Sequence, residues 1–310
     1  MNTREPSKSA SSLDLNALVS PRDIADAIGA SESSLRRWID SGDIRVSRTA
    51  GGHRRVPLRD ALQFVRRIGA VIVKPELLQL PPMAEPSEAA SGEEESLFSA
   101  LCEGRREVAS GMALSWYLKG RTMHELFDGP VRGAMHRMGE LWKHEDRGIL
   151  VEHRATEICL GMLTSLRALL PTLPESAPLA IGGAPEGDPY QIPSLMAGTV
   201  LAEAGLRDVN FGASTPLKLL ADEAALTDAA LVWVSISAVA DEKLLQAQIK
   251  KLAATLAARG TKLVIGGHGS APFVRRSVAN IFPIRSMGEL AAFGQGLLAQ
   301  MTATRPSTVQ

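Results

Sequence analysis

Three stretches of the chain carry side chains that could contact a ligand, and each follows a short apolar run. The first, "GDPYQIPS" at 187–194, offers the carboxylate of Asp188 and the phenol of Tyr190. The second and third stretches are Ser235-Ile236-Ser237 and Gly266-Gly267-His268-Gly269. Carboxylates and hydroxyls bind polar groups, and glycines let the backbone approach a ligand closely. The candidate ligand-binding residues here are Asp188, Tyr190, Ser235, Ser237, Gly266, Gly267 and His268.

A second group of candidates lies in a helical part of the chain. Trp142 is followed, after nine residues, by Glu152 and His153. Trp142 ends one predicted helix and the Glu-His pair begins the next, so all three can lie at one end of a helical bundle. An aromatic plane with a carboxylate and an imidazole could cover an apolar ligand that bears hydroxyls. On spacing alone, a core tryptophan beside two surface residues is the simpler interpretation.

Arginines are concentrated near the N-terminus. From Pro21 to Ile68 there are ten arginines against six acidic residues, a net charge of +4 in a chain whose net charge is zero. Guanidinium groups neutralise phosphates and can read guanine edges, so this segment is suited to double-stranded DNA. The predicted DNA-contacting residues are Arg36, Arg37, Arg48, His53, Arg54 and Arg55.

The elements that carry these basic residues can be predicted from caps and glycines. Ser20, followed by a proline, starts one helix, and Ser31 caps a second that bears Arg36 and Arg37. Strands are predicted at 44–46 and 54–56, with two glycines in the turn between them. A helix, a turn, an arginine-bearing helix and a hairpin together predict a winged helix-turn-helix.

The remainder of the chain predicts two further domains. Residues 96–170 have the apolar spacing of a four-helix bundle, and apolar runs then alternate with helical patterns as in a doubly wound α/β parallel sheet. The carboxyl ends of parallel strands share one edge, so the three ligand-contacting stretches should meet there. The predicted divisions are a disordered tail (1–16), the winged helix (17–72), a flexible acidic linker (73–96), the bundle (97–172), the α/β domain (177–302) and a second tail (303–310).

Composition excludes several classes of protein. Cys102 and Cys159 form no metal-spaced pair, and two cysteines in 310 residues are typical of a reducing compartment. The N-terminus lacks the apolar core of a signal peptide, and the longest apolar-rich run, 229–240, is too short to cross a bilayer. No nucleophile triad, metal cluster or phosphate loop is recognisable in the sequence. We therefore expect a cytoplasmic protein that is neither membrane-bound nor an enzyme.

Two resemblances add to this interpretation. Residues 17–70 closely resemble the DNA-binding domain of the MerR family, most specifically at RTAGGHRRVP. The second resemblance covers the three ligand-contacting stretches of the α/β domain. Between them lie 41 residues from Pro193 to Ser235 and 28 residues from Ser237 to Gly266. This spacing resembles the cobalamin-binding pattern D-x-H-x-x-G, S-x-L, G-G. The Trp, nine residues, Glu-His spacing resembles the helical cap of light-responsive MerR-type repressors.

The resemblances imply a specific kind of regulator. Those repressors have the same three domains in the same order, use adenosylcobalamin, and form tetramers that repress operators at carotenoid genes until light breaks the assembly. By resemblance, Trp142, Glu152 and His153 would cover the upper adenosyl group, and the α/β loops would hold the corrinoid from below. The chain would be a transcriptional repressor that binds a double-stranded operator as a dimer or tetramer.

The sequence departs from this pattern at the position of the cobalt ligand. Tyr190 replaces the cobalt-binding His, which Asp188 would orient, and Pro193 replaces the Gly that gives the nucleotide tail room. A phenol, whose pKa is about 10, stays protonated and binds cobalt poorly at neutral pH. Three alternatives stay open: adenosylcobalamin without a lower His, another tetrapyrrole such as a bilin or haem with His268 or His153 as partner, or no ligand. A cobalamin-dependent enzyme subunit is a more distant alternative, because it needs a separate catalytic module.

Overall fold

The structure is a computed structural model that describes residues 13–48, 50–83, 90–141, 148–274 and 279–304. The chain divides into two compact units. The first unit comprises Met1–Thr122 and Gly129–Pro171, and the second comprises Met123–Asp128 and Thr172–Gln310. Among the described residues, every helix is too short or too polar to cross a bilayer.

The N-terminal part of the first unit is built from short helices and an antiparallel sheet. Its elements are β1 (Leu18–Val19), α1 (Pro21–Ala27), α2 (Glu32–Asp40), β2 (Ser47–Arg48), β3 (Arg54–Pro57) and α3 (Leu58–Ile68). Strand β3 is central and pairs with β1 and β2. A capping box begins α1, since the Asp23 N–H donates to Ser20 Oγ (3.1 Å) and the Ser20 N–H donates to the Asp23 carboxylate (3.3 Å). The core contains Ile24, Leu35, Val56, Leu62 and Phe64.

The predicted strand at 44–46 is wrong. Ile44 is buried, and its N–H donates to the Trp38 carbonyl (3.3 Å), so this residue closes the turn after α2. The ladder begins later, where Ser47 pairs with Arg55. Within the hairpin loop, Gly52 adopts a φ of +78°, which favours glycine.

Part of the segment predicted as a flexible linker, 73–96, is packed. A 3₁₀ turn spans Pro75–Leu78, and Leu78 is fully buried. The N–H groups of Val73 and Lys74 both donate to the carbonyl of Ala27, at the end of α1. The flexible-linker prediction is wrong for these residues, because leucines within an otherwise polar composition supply core contacts; residues 84–89 lie outside the described residues.

Four helices of the first unit form the predicted bundle. They are α4 (Ala90–Cys102), α5 (Arg106–Leu118), α7 (Arg132–Leu141) and α8 (Gly148–Ala168). Helix α4 contacts the other three, and α8 contacts both α5 and α7. The bundle core contains Leu97, Leu101, Ala109, Leu114, Met138, Ile158, Met162 and Leu166. Helix α4 begins within the predicted linker, so the bundle is longer than its predicted range of 97–172 at this end.

The N-terminal elements are attached to this bundle through α3. Gln63 Nε2 donates to the Leu169 carbonyl (2.8 Å). The Arg66 guanidinium donates to the Tyr117 carbonyl and lies 3.8 Å from the centre of the Tyr117 ring. Such a cation–π contact to a desolvated ring stabilises by about 2 kcal/mol. The predicted winged-helix and bundle segments therefore belong to one unit.

The second unit contains the predicted α/β sheet. Its elements are β4 (Leu179–Gly183), α9 (Ile192–Ala204), β5 (Arg207–Asn210), α10 (Leu217–Leu226), β6 (Leu231–Ser235), α11 (Glu242–Ala257), β7 (Lys262–Gly266), α12 (Ala271–Val274), β8 (Ile281–Pro283) and α13 (Met287–Thr304). The five strands are parallel, in the order β5-β4-β6-β7-β8. The strand order reverses between β4 and β6, the point at which open α/β sheets bind ligands.

The two faces of the sheet have separate cores. Val232 and Val234 of β6 pack in one apolar cluster with residues of α10 and α11. Because side chains alternate along a strand, Trp233 points to the opposite face, which α9 covers. Helix α9 also contacts α13.

Residues 123–128 belong to the second unit although they were predicted in the bundle. Helix α6 (Met123–Leu126) contacts α9 and α13. The Met123 N–H donates to Glu203 (2.8 Å), and the Asp128 carboxylate accepts the N–H groups of Met287 and Gly288 at the start of α13 (both 2.9 Å). These polar anchors are invisible to apolar periodicity, which is why the predicted boundary is wrong here.

Candidate functional site

The predicted DNA-contacting residues surround a cleft in the N-terminal part of the first unit. The start of α1, the exposed side of α2 and β3 enclose about 310 Å³. We call this the arginine cleft; its lining residues are Ser20, Pro21, Arg22, Glu32, Leu35, Arg36, Ile39, His53, Arg54 and Arg55. Four of the six predicted residues, Arg36, His53, Arg54 and Arg55, thus lie around one cavity. Arg48 lies beside them on β2, opposite Arg54.

The charges of this cleft are only partly paired. Arg54 makes an ion pair with Asp40 of α2 (3.0 Å), which ties the hairpin to that helix. The Arg37 guanidinium donates to Ser34 Oγ (3.4 Å). Among the described residues, no carboxylate pairs with Arg36, Arg48 or Arg55. The cleft can therefore attract an anion such as phosphate.

At the carboxyl edge of the parallel sheet, Asp188 is fully engaged by the protein itself. Its side chain is buried, with 1% of its surface exposed. Oδ1 accepts the N–H of Tyr190 (3.1 Å), and Oδ2 accepts the N–H groups of Ser237 (2.6 Å) and Ala238 (3.1 Å). Asp188 thus joins the loop after β4 to the loop after β6.

The loops after β6 and β7 are joined in the same way. The Ile236 N–H donates to the Gly266 carbonyl (2.8 Å), and the Gly269 N–H donates to the Ile236 carbonyl (2.9 Å). Gly267 has a φ of +100°, and a Cβ there would collide with the Ile236 carbonyl. The three predicted stretches do meet, and they bind one another through backbone groups and the Asp188 carboxylate.

The remaining candidates at this edge differ in exposure. Tyr190 is exposed over 53% of its surface, and His268 is exposed at the start of a 3₁₀ turn. Ser235 is buried, and Ser237 is half-buried. Of these side chains, Tyr190 and His268 are therefore the ones a surface ligand can reach.

Sequence reasoning missed the residues directly beneath this edge. Trp233 of β6 is 2% exposed, and its Nε1 donates to Ser194 Oγ (3.0 Å) at the start of α9. Ser194 Oγ in turn donates to Asn210 Oδ1 (2.8 Å). The available signal was a tryptophan in the middle of the apolar run LVWVS, which reads as ordinary core.

The predicted cap residues lie in the first unit. Glu152 and His153 stand at the start of α8, with 3.6 Å between His153 Nε2 and Glu152 Oε2. Thr156 Oγ1 donates to Glu152 Oε1 (3.3 Å), and the His153 side chain is 69% exposed. Trp142 lies outside the described residues, as do Lys143 and His144.

The described residues contain no group of three or more His, Cys, Asp or Glu side chains arranged to hold a metal ion. Burial raises the pKa of the Cys159 thiol to about 12, so it stays a neutral thiol and a poor ligand. Burial also raises the pKa of Cys102.

Comparison with known proteins establishes the fold of the bundle and sheet. The monomethylamine corrinoid protein of Methanosarcina barkeri matches at a TM-score of 0.51 and 19% identity, over 67% of this chain and 100% of that chain. At this level the match shows a common fold. The cobalamin-binding-type fold predicted for the bundle and α/β sheet is thereby confirmed.

Two further structures match more weakly. A chain of the methanol:cobalamin methyltransferase complex MtaBC from Methanosarcina barkeri has a TM-score of 0.35 and 15% identity, over 73% of this chain and 90% of that chain. A cobalamin-binding protein from Desulfitobacterium hafniense DCB-2 has a TM-score of 0.35 and 16% identity, over 68% of this chain and 98% of that chain. No protein-family model and no curated protein matches the chain.

Proposed function

We propose that the protein is a DNA-binding transcriptional regulator, a repressor, in which the bundle and α/β sheet form a sensory and oligomerisation unit. One observation carries the proposal. Four basic side chains that lie up to 19 positions apart in sequence, between Arg36 and Arg55, line a single cleft. A solvated charged surface needs no such convergence, whereas a site for a polyanion does.

The geometry of the N-terminal elements supports duplex DNA as that polyanion. Helix α2 exposes Arg36 and Arg37, and the β2–β3 hairpin adds Arg48 and Arg55 beside it. In winged helix-turn-helix proteins, the second helix enters the major groove and flanking elements contact the phosphates. In this proposal α2 reads bases and the hairpin contacts the phosphate backbone.

The sensory role is supported by the fold and by the attachment of α3. The solved structure whose fold this chain shares is a monomethylamine corrinoid protein, and we propose that here the same fold serves sensing and assembly into a dimer or tetramer. Gln63 and Arg66 join the proposed DNA-binding segment to the bundle. Any rearrangement of α5 or α8 would therefore be transmitted to α3. We also propose that this regulator is not an enzyme and that it acts in the cytoplasm.

The residues at the sheet edge do not fit a corrinoid held through a lower imidazole. The position that the resemblance assigns to the cobalt ligand holds Tyr190, and the Asp188 carboxylate that would orient a His already accepts three backbone N–H groups. Trp233 fills the space beside the start of α9. A corrinoid in this unit must therefore be held without an imidazole from this loop; another tetrapyrrole, or no ligand at all, are the alternatives.

The DNA-binding proposal is tested by removing the charge of the hairpin. In the full chain, Arg54→Ala with Arg55→Ala should weaken binding to a mixed-sequence DNA duplex and reduce the slope of log Kd against log salt by about 2. Fluorescence anisotropy at several salt concentrations measures both quantities.

The matched control is Lys250→Ala with Lys251→Ala, which removes the same charge from the exposed side of α11. This pair should leave affinity and slope unchanged. Equal effects of the two double variants would mean that net charge alone decides binding. An unchanged affinity in the Arg54/Arg55 variant would remove the hairpin from the interface.

A further inference from the structure

Two glycines in the second unit form a narrow slot on the face of the sheet that α9 covers. Gly182 lies on β4 and Gly198 on α9. A Cβ on Gly182 would collide with the Trp233 ring, and a Cβ on Gly198 would lie 3.3 Å from Trp233 Cζ2. The flat indole of Trp233 therefore needs the missing side chain at Gly182, and it packs closely against the helix at Gly198. We call this space the indole slot.

The indole slot also satisfies the polar atom of its occupant. Trp233 Nε1 donates to Ser194 Oγ, which donates to Asn210 Oδ1. Asn210 Oδ1 accepts a second bond from the Gly212 N–H (3.0 Å). A buried indole needs such a partner, and this chain of hydrogen bonds leads from β6 through α9 to β5. The slot thus has the shape and the hydrogen-bonding group required by a flat nitrogen heterocycle.

We propose that Trp233 is a resident plug, which occupies the space that a nucleotide base would take in a ligand-bearing protein of this fold. Ser194 follows Pro193, the position beside which the resemblance places the nucleotide tail of cobalamin. Indole and benzimidazole are both fused bicycles of nearly equal size. A corrinoid whose tail carries benzimidazole cannot insert that tail while Trp233 is present.

This inference defines the ligand class that the proposed sensory unit can accept. Tetrapyrroles without a nucleotide tail, and corrinoids stripped of it, need no slot and can approach the exposed side chains of Tyr190 and His268. The inference thus rests on the proposed sensory function. Its tests use ligand binding and melting alone, so their failure would leave the DNA-binding proposal intact.

The first test empties the slot and refills it with a small molecule. Trp233→Ala should lower the melting temperature of the full chain by about 10 °C, because a buried indole is lost. Adding 5,6-dimethylbenzimidazole should raise the melting temperature of this variant and leave that of the wild type unchanged, since only the variant offers a cavity. Trp116→Ala, which empties a buried position in α5, is the control and should not respond. A folded Trp233→Ala protein that does not respond overturns the plug.

The second test uses the wild-type chain and does not depend on any variant folding. Hydroxocobalamin and cobinamide, which lacks the nucleotide, are titrated and followed by absorbance. Cobinamide should bind at least as tightly as hydroxocobalamin, whereas a tenfold preference for hydroxocobalamin overturns the proposal.

Tyr190→His with Pro193→Gly should not restore tight hydroxocobalamin binding. Adding Trp233→Ala to that pair should strengthen hydroxocobalamin binding at least tenfold. Tight binding by the pair alone would show that the slot opens without loss of the indole.

Discussion

The arginine cleft of the first unit and the carboxyl edge of the sheet in the second unit use their polar groups in opposite ways. In the arginine cleft, Arg36 and Arg55 project charge without a carboxylate partner among the described residues. At the sheet edge, the Asp188 carboxylate accepts three N–H groups of its own loops. The first region thus has cationic side chains that no described carboxylate pairs with, and in the second region the carboxylate holds two loops together.

The two regions thus differ in how much their polar side chains contribute to the stability of the fold. An unpaired guanidinium on a surface contributes little to folding, so its removal should leave stability nearly unchanged. A buried carboxylate that bridges two loops stabilises the fold whether or not a ligand binds. The three hydrogen bonds of Asp188 therefore give this residue a structural role that needs no ligand.

The largest effect is expected for Asp188→Ala. Three backbone donors lose their acceptor at a largely buried site, which should cost about 3 kcal/mol. Urea denaturation of the full chain, with hydrogen exchange of peptides covering β4 and β6, measures this loss. DNA affinity, measured well below the melting temperature, should stay unchanged. If Asp188→Ala is instead as stable as the wild type, the carboxylate does not hold this edge of the sheet.

An intermediate effect is expected for Arg36→Ala, which should change DNA binding and leave stability nearly unchanged. Loss of a guanidinium that reads a base edge should weaken binding to a selected duplex by about 1–3 kcal/mol and relax the base preference at one position. Unfolding free energy should change by less than about 0.5 kcal/mol, as for an exposed side chain. Sequence selection with wild type and variant provides the comparison. If the variant loses stability and keeps its base preference, Arg36 belongs to the fold and not to the interface.

The features that the sequence predicted well depend on local chemistry. Serine caps placed α1 and α2, and the alternation of apolar runs with helical patterns predicted the parallel sheet. Glycine-rich and serine-rich stretches after those strands indicated correctly that three loops would meet. These signals are readable because caps, strand periodicity and loop glycines each act within a few residues.

The features that the sequence concealed depend on distant contacts. The packing of Leu78 within an acidic linker, and the use of Asp128 to cap α13, each need a partner far along the chain. The indole slot is the clearest case, because Gly182, Gly198 and Trp233 become meaningful only when β4, α9 and β6 lie side by side. No spacing rule connects these positions, so the sequence alone could not indicate that they pack together.

The smallest effect is expected at the polar end of the indole slot. Ser194→Ala removes the acceptor of Trp233 Nε1 and one donor to Asn210, while the indole stays in place. A buried N–H left without a partner should cost about 1–2 kcal/mol, less than the loss of the Asp188 carboxylate. The matched control is Ser165→Ala in α8. The Ser165 hydroxyl donates to a carbonyl of its own helix, so its loss should change the free energy of unfolding by less than about 0.5 kcal/mol. Trp233 fluorescence should also shift in Ser194→Ala alone, because the indole loses its hydrogen bond. Equal stabilities of the two serine variants, with no spectral change, would mean that the slot holds Trp233 by shape and not by its nitrogen.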